Sequence, residues 1–164
     1  MIARIRTVTG ADLAAVHALN EGALPHVNRV DESVLDWFRA EATRFVVAEV
    51  DGEIRAFMVA LAPPTAYWSD NYNWFVERHT GFVYVDRVAV HPDWHGRGLG
   101  RALYDDLLAA ARRAGDIRAV ACEVNLRPPN PGSLAFHRRL GFREVGELDH
   151  DGGAKRVAML MRTV

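Results

Sequence analysis

The sequence has 164 residues, 49% of them hydrophobic and 25% charged, with a formal net charge of −1 when histidines are neutral. This length and composition predict one globular domain over residues 1–164. The balanced charge argues against nucleic acid as a partner, and no apolar stretch approaches the ~20 residues that span a bilayer, so no membrane is expected either. The single cysteine, Cys122, allows no intramolecular disulfide, and we expect a cytoplasmic location.

The first third of the chain predicts a strand, two helices and a hairpin. Thr9 followed by Asp12 is typical of a helix N-cap with an acidic third residue. Asp51-Gly52 favours a tight turn, because both residue types tolerate positive φ. The predicted elements are a strand at 2–6, a helix carrying Leu13, Val16 and Leu19, a helix at 32–41, and strands at 45–50 and 54–61.

Residues 63–81 are rich in aromatics and are predicted to be irregular. The aromatic side chains of segment 67–75 could hold an amine by cation–π contact, with Asp70 as the counter-ion. Two alternatives are a loop that caps the sheet and a contact within a homodimer. The segment 20–31 is a second candidate wall of an acceptor pocket.

The second half of the chain predicts strands alternating with two helices. Asn130-Pro131 is typical of a helix start, and Gly141 of a residue just after a helix end. The predicted elements are a strand at 82–90, a helix from about 99 to 114, a strand at 117–124, a helix from 131, and strands at 142–148 and 156–161. This order predicts an α/β fold with a mixed sheet.

The strand at 82–90 is followed closely by Gly96-x-Gly98-x-Gly100 and then by a helix. Glycines allow backbone N–H groups to approach a diphosphate, and the helix dipole favours the negative charge there. An ordinary strand-to-helix turn is the alternative. The segment lacks the Gly-Lys-Ser/Thr of a Walker loop, and its spacing differs from that of dinucleotide-binding folds.

Two segments resemble the GNAT superfamily of acetyltransferases. His95, Gly98 and Gly100 occupy the fixed positions of its acetyl-CoA pattern, Arg/Gln-x-x-Gly-x-Gly/Ala, with histidine as a departure at the first position. Residues 130–142 are similar to its Asn-x-x-Ala/Ser-x-x-Phe-Tyr-x-x-x-Gly-Phe segment. The resemblance implies a single-domain GNAT-like fold: a mixed, mostly antiparallel sheet that splays between the fourth and fifth strands, flanked by about four helices.

The resemblance also implies direct transfer of an acetyl group from acetyl-CoA to a primary amine, most simply that of a small molecule. The strand before the glycine loop would bind pantetheine and the loop amides the diphosphate, without a metal. The residues implied at the cofactor are Val88, Ala89, Val90, His95, Gly96, Arg97, Gly98, Leu99, Gly100, Arg101 and Asn130. Asn130 could equally serve only as a helix cap.

Three residues are candidates for catalysis. Asp86 and Glu123 are each a candidate general base; Glu123 lies in an otherwise apolar strand, where partial burial would raise its pKa. The alternative for both is a structural carboxylate, and for Asp86 a pair with Arg87. His137 stands at the tyrosine position of the family and could donate a proton to departing coenzyme A, or it could simply pack on its helix.

The sequence is also compatible with two other functions. A non-catalytic module that binds coenzyme A would explain the altered residues at His95 and His137, and a protein N-acetyltransferase would use the same fold. Cys122 could form an acyl thioester, but a cysteine among apolar residues is expected to be a small core residue.

Overall fold

The computed structural model describes residues 2–164, which form one seven-stranded sheet with helices on both faces. The strands are β1 (Arg4–Thr7), β2 (Arg44–Val50), β3 (Glu53–Leu61), β4 (Phe82–Val90), β5 (Ala119–Arg127), β6 (Arg143–His150) and β7 (Lys155–Thr163). The helices are α1 (Leu13–Gly22), α2 (Glu32–Glu41), α3 (Asp70–Arg78), α4 (Leu99–Ala114) and α5 (Pro131–Arg139). The strand order is β1-β2-β3-β4-β5-β7-β6, and only β4 and β5 run parallel. The predicted mixed, mostly antiparallel sheet is confirmed.

Local sequence signals account for several of these boundaries. Thr9 and Asp12 form the predicted capping box ahead of α1. Asp51 and Gly52 both have positive φ, 52° and 79°, which is the backbone that the β2–β3 hairpin requires. Gly141 follows α5 with φ of 89°, as expected of a residue that ends a helix in the left-handed conformation.

The segment predicted to be irregular, 63–81, contains helix α3, so this prediction was wrong, and the sheet carries five helices where about four were expected. The Ser69 hydroxyl caps α3 by accepting a hydrogen bond from the Tyr72 N–H at 3.3 Å. Tyr72 and Phe75 are fully buried, one helical turn apart. The helix was missed because its apolar residues, Tyr72 and 74–76, are mostly aromatic and are equally compatible with a loop that caps the sheet.

The apolar side chains of the strands alternate between two layers. On one face, Phe57 packs in a cluster with residues of α1, α2 and α3, including the fully buried Phe38. On the other face, Met58 packs with residues of α4 and α5, including the fully buried Leu103. Because both faces of the sheet are packed against helices, the strands are held in fixed positions.

Strands β4 and β5 pair over only three residues, from Phe82 opposite Ala119 to Tyr84 opposite Ala121. In the β3–β4 ladder, Asp86 is an extra residue, since Val59 pairs with Arg87 and Ala60 with Val85. A bulge of this kind bends the strand that carries it. Beyond the bulge, β4 and β5 diverge, which confirms the predicted splay of the sheet. One backbone edge of residues 85–90 therefore faces an opening between these two strands.

Among residues 2–164, no helix combines the length and the apolar character that crossing a bilayer requires.

Candidate active site

A cavity of about 1120 Å³ opens where β4 and β5 diverge, and it reaches both faces of the sheet. Arg97 lies outside its lining, with its guanidinium 4.7 Å from the ring centre of Trp94. The sequence-predicted residues that line the cavity are Asp86, Val88, Ala89, Val90, His95, Gly96, Gly98, Leu99, Gly100, Arg101, Glu123, Asn130 and His137. The fold therefore gathers residues of four separate sequence segments around one space.

The glycine loop enters α4 through two residues in the left-handed region, Gly96 with φ of 73° and Gly98 with φ of 86°. Gly98 is the N-cap of α4, so the first N–H groups of the helix have no acceptor within it. The His95 Nε2–H donates to the Val90 carbonyl at 2.9 Å and ties the loop to the end of β4. The loop thus presents free amides and a helix dipole to the cavity.

Gly100 serves packing rather than backbone conformation. A Cβ added at this position would lie 3.2 Å from Cζ of Phe136, a tighter contact than side chains normally make. Gly100 therefore allows α4 and α5 to approach each other beside the loop. The three glycines of the motif have two different physical roles.

The backbone of β4 beyond the bulge is paired on one side only. Ala89 pairs with Phe57 of β3, and Val90 with Ala56, while the ladder to β5 has already ended at Tyr84. The N–H and C=O groups on the open edge can accept an extended ligand as a further strand would. Asn130 lines the same cavity, and its Oδ1 caps α5 by accepting from the Ser133 N–H at 3.3 Å.

Glu123 lies partly buried on β5, facing the cavity from the side of α1, α2 and α3. The Tyr84 hydroxyl donates a hydrogen bond of 2.7 Å to its Oε2. Burial raises the pKa of Glu123 to about 7, and the charge of Asp86 acts in the same direction. Hydrogen bonds from Tyr84 and Asn71 oppose this rise. The carboxylate is thus set to exchange a proton near neutral pH.

Both carboxylate oxygens of Asp86 are engaged within the protein. The Tyr67 hydroxyl donates to Oδ1 and the Arg87 Nε–H to Oδ2, each at 2.7 Å. Arg87 also donates to the Asn20 side chain and the Asn28 carbonyl, each at 3.0 Å. This network fastens β4 to α1 and to the segment after it, which forms one cavity wall.

We expect Asp86→Asn to lower the free energy of unfolding by roughly 3–5 kcal/mol, because it leaves the buried Arg87 guanidinium without its counter-charge. Each side chain of this pair is only 6% exposed. Asp36→Asn, which breaks a surface pair with Arg39, is the matched control and should cost about 0.5 kcal/mol. Urea unfolding measures both variants, and equal small losses would show that the Asp86–Arg87 pair is not structural.

His137 is 4% exposed and uses both ring nitrogens within the protein. Its Nδ1–H donates to the Ser133 carbonyl at 2.8 Å, so Nε2 accepts from the Tyr104 hydroxyl at 2.7 Å. Burial lowers the pKa of His137. A neutral imidazole with this tautomer has no proton to give to a sulfur, and the contacts favour a positioning role for His137 over proton donation.

Cys122 is buried beside this pair, as the sequence predicted. Burial raises the pKa of its thiol well above the ordinary value, which disfavours the thiolate that nucleophilic catalysis needs.

Both predicted walls of the acceptor pocket line the cavity. The hydroxyl of Tyr67 reaches Asp86, and the ring stacks at 5.7 Å on Trp37 of α2. Trp68 is 61% exposed at the rim. Asp70 and Asn71, from the first turn of α3, also line the cavity, as do residues of the segment 22–31. The aromatic segment therefore forms part of the pocket and also contains a helix.

Most of the chain matches a known protein family. Residues 14–142 match the model of the Acetyltransferase (GNAT) family. The chain belongs to this family.

Curated relatives of this GNAT chain are acetyltransferases of several kinds. It is 32% identical over 152 residues to the mycothiol acetyltransferase of Saccharomonospora viridis, covering 87% of this chain and 46% of the relative. It is 28% identical over 158 residues to the L-amino acid N-acyltransferase MnaT of Escherichia coli, covering 90% of this chain and 84% of the relative. The chain spans about half the length of the first curated relatives it matches.

Solved GNAT structures share the fold at low sequence identity. Ard1 from Thermoplasma volcanium superposes with a TM-score of 0.80 at 19% identity, covering 100% of this chain and 99% of that one. The protein yncA from Salmonella typhimurium, solved with its cofactor acetyl-CoA, has a TM-score of 0.73 at 22% identity, covering 99% of this chain and 94% of that one. These likenesses confirm the predicted fold.

Several polar residues of this GNAT cavity were missed in the sequence. Tyr84 precedes Asp86 by two positions on the same strand, so strand periodicity could have placed both on one face. Tyr104 lies among the buried residues of α4, and its position in the sequence predicts only a core residue. Asn71, His150 and Lys155 join the site from α3, β6 and β7, and no local pattern marks them.

Proposed function

We propose that this protein is an acetyl-CoA-dependent N-acetyltransferase that acts on the primary amine of a small molecule. The observation that carries the proposal is the position of Glu123. Its carboxylate, with a pKa of about 7, shares a cavity with the open edge of β4 and the amides of the glycine loop. A base and a binding surface for an acyl-CoA thus meet at the splay of the sheet.

The donor fits this cavity by its chemistry. The open backbone edge of 88–90 would hold the amides of pantetheine, and the N–H groups of the loop from His95 to Arg101 would hold the diphosphate. The Arg101 side chain, 68% exposed at this helix end, adds positive charge. Asn130 caps its helix and can still present its amide N–H groups to the ligand.

The reaction is a direct attack of the amine on the thioester. Glu123 takes one proton from the ammonium form of the acceptor, directly or through one water. The amine nitrogen then forms the C–N bond, the C–S bond breaks, and the second proton that nitrogen loses ends on the coenzyme A thiol. Asp86 serves this step mainly by holding β4 and the acceptor wall in place.

The side of the cavity around Glu123 supports a small-molecule acceptor. The segment 22–31, the Tyr67–Asn71 segment and the β6–β7 end surround the approach to Glu123. Relatives named for small molecules include a mycothiol acetyltransferase, an L-2,4-diaminobutyric acid acetyltransferase and an L-amino acid N-acyltransferase.

The direct test is release of free thiol from acetyl-CoA in the presence of a panel of small amines and of N-terminal peptides. We expect time-dependent turnover with a subset of the small amines. Saturable binding of acetyl-CoA with no turnover across the panel would instead support a regulatory module. Turnover with the peptides alone would show that the acceptor is a protein N-terminus rather than a small amine.

For His137 we propose a positioning role through Tyr104. His137→Phe should lower the free energy of unfolding by about 1–3 kcal/mol, because it leaves the buried Tyr104 hydroxyl without an acceptor. Turnover should fall less than about tenfold, far short of the loss of a proton donor. Adding Tyr104→Phe should recover part of the lost stability, since it removes the unsatisfied hydroxyl.

Thermal unfolding and thiol release measure both effects. The role fails if His137→Phe abolishes turnover without loss of stability. It also fails if the wild-type rate falls with rising pH near a histidine pKa and the variant lacks that limb, because both results mark a protonated imidazole as the donor.

A further inference from the structure

Lys155 is the only lysine in the sequence, and it lines the acceptor side of the cavity at the start of β7. Two arginines that also line this side are already paired: Arg87 with Asp86 at 2.7 Å and Arg29 with Glu21 at 3.3 Å. Within residues 2–164, no carboxylate lies within 4.0 Å of the Lys155 ammonium. Its polar contact is the Asn28 Oδ1 at 3.4 Å.

Lys155 projects from the same face of the sheet as Glu123. Strand β7 alternates faces, and Lys155, Val157 and Met159 therefore share one. Met159 stands directly opposite Glu123 in the antiparallel ladder, which places both side chains on that face. The ammonium charge is close enough to lower the pKa of Glu123. A base and an uncommitted cation thus share one pocket.

We propose that the acceptor is an amino acid, whose carboxylate binds the Lys155 ammonium while its amino group lies at Glu123. This inference rests on the proposed N-acetyltransferase function and specifies its substrate. A simple amine would bring a second cation next to Lys155, and the two charges would repel each other as water is displaced. A zwitterionic acceptor instead supplies a counter-charge to each protein group.

The other charged groups around Lys155 are compatible with the binding of an amino acid between Lys155 and Glu123. Asp31 caps α2 by accepting from the Val34 N–H at 3.0 Å. His150 donates from Nε2 to Asn71 Oδ1 at 2.7 Å. Asp70 and Asp151 are exposed carboxylates at the rim, where solvent screens them. Lys155 is therefore the cation best placed to attract a carboxylate into the pocket.

The test compares L-amino acids with their carboxamides, which keep the side chain and the amine but lack the negative charge. For the preferred amino acid, wild-type kcat/KM should exceed that of the carboxamide at least tenfold. Lys155→Met should bring this ratio close to one, mainly by raising KM for the amino acid, while Lys155→Arg should retain most of it. Arg156→Gln, which removes a neighbouring cation paired with Glu147 and Asp149, should leave the ratio unchanged.

A second measurement uses the unmodified protein. An amine-reactive reagent labels Lys155 and the chain N-terminus, which peptide mass spectrometry separates. Relative to labelling of the N-terminus, which corrects for reagent consumed by the added amine, the preferred amino acid should slow labelling of Lys155, and its carboxamide should not. Equal kcat/KM for acid and carboxamide in the wild type, or an unchanged ratio in Lys155→Met, would overturn the inference while leaving acetyl transfer intact. Absence of turnover with both series, when another amine of the panel is acetylated, would also overturn the inference, and absence of turnover with every amine would overturn the proposed function itself.

Discussion

Glu123→Gln is expected to lower kcat roughly 10²–10⁴-fold, the usual contribution of a positioned general base. Glutamine keeps the shape of the side chain and can still accept a hydrogen bond from the Tyr84 hydroxyl, so acetyl-CoA affinity should change little. Glu77→Gln, on an exposed surface of α3, is the matched control and should retain full activity. A loss of less than threefold in Glu123→Gln would remove Glu123 from the chemistry.

The pH profile gives the same proposal a second test. Because the base must be deprotonated, kcat/KM of the wild type should rise with pH through about 7, the pKa of Glu123. Tyr84→Phe removes a hydrogen bond that lowers this pKa, so the limb should move to higher pH. Glu123→Gln should lack the limb. A limb that stays in place in both variants belongs to another group.

The same pKa predicts a gain in stability for the inactive variant. Between about pH 4.5 and 7 the folded protein binds more protons at Glu123 than the unfolded chain does, so wild-type stability falls as pH rises through that window. Above pH 7 the charged carboxylate destabilises the fold by at most about 3 kcal/mol. Glu123→Gln should therefore melt higher than the wild type at pH 8, and this difference should shrink toward pH 5.

The second large effect is expected at the glycine loop. Gly98→Val should weaken acetyl-CoA binding more than 100-fold and abolish the rise in melting temperature that bound ligand produces. Gly98 has φ of 86°, a conformation that β-branched residues avoid. A Cβ there would meet no atom within 4 Å, so valine strains the backbone without a steric clash. The loop amides, however, would turn away from the diphosphate.

Gly115→Val supplies the control for backbone strain. Gly115 ends the same helix with φ of 81°, and a Cβ there also meets no atom within 4 Å. The two variants should lose similar stability, and only Gly98→Val should lose the thermal shift. Calorimetric titration with acetyl-CoA measures the ligand affinity of both variants. An unchanged affinity in Gly98→Val would place the diphosphate elsewhere.

Local sequence signals predicted the strands, the β2–β3 hairpin and the glycine loop because each depends on residues close together in the chain. The β2–β3 turn requires only positive φ angles at Asp51 and Gly52, and the start of α4 requires a positive φ angle at Gly98. Helix α3 escaped prediction although Ser69 marks its start, since Tyr72 and Phe75 are equally compatible with an aromatic loop. Their burial is decided by packing against the sheet, which periodicity alone does not report.

The polar partners of the site depend on contacts across the fold. Tyr84 and Glu123 lie 39 residues apart in sequence, and Tyr104 and His137 lie 33 apart. The family motif marked the position of His137 but not the Tyr104 hydroxyl that occupies its Nε2. Lys155 carries no motif at all, and only the β5–β7 register puts it on the face of Glu123.

The central claim is direct acetyl transfer from acetyl-CoA to an amine within this cavity. The most direct measurement is the stoichiometry of free thiol and N-acetylated acceptor formed from carbon-13-labelled acetyl-CoA, in the wild type and in Cys122→Ala. We predict one labelled amide for each thiol released, at similar rates in both proteins. Thiol release without labelled amide, or loss of transfer in Cys122→Ala together with a labelled acyl group on Cys122 in the wild type, would contradict the claim.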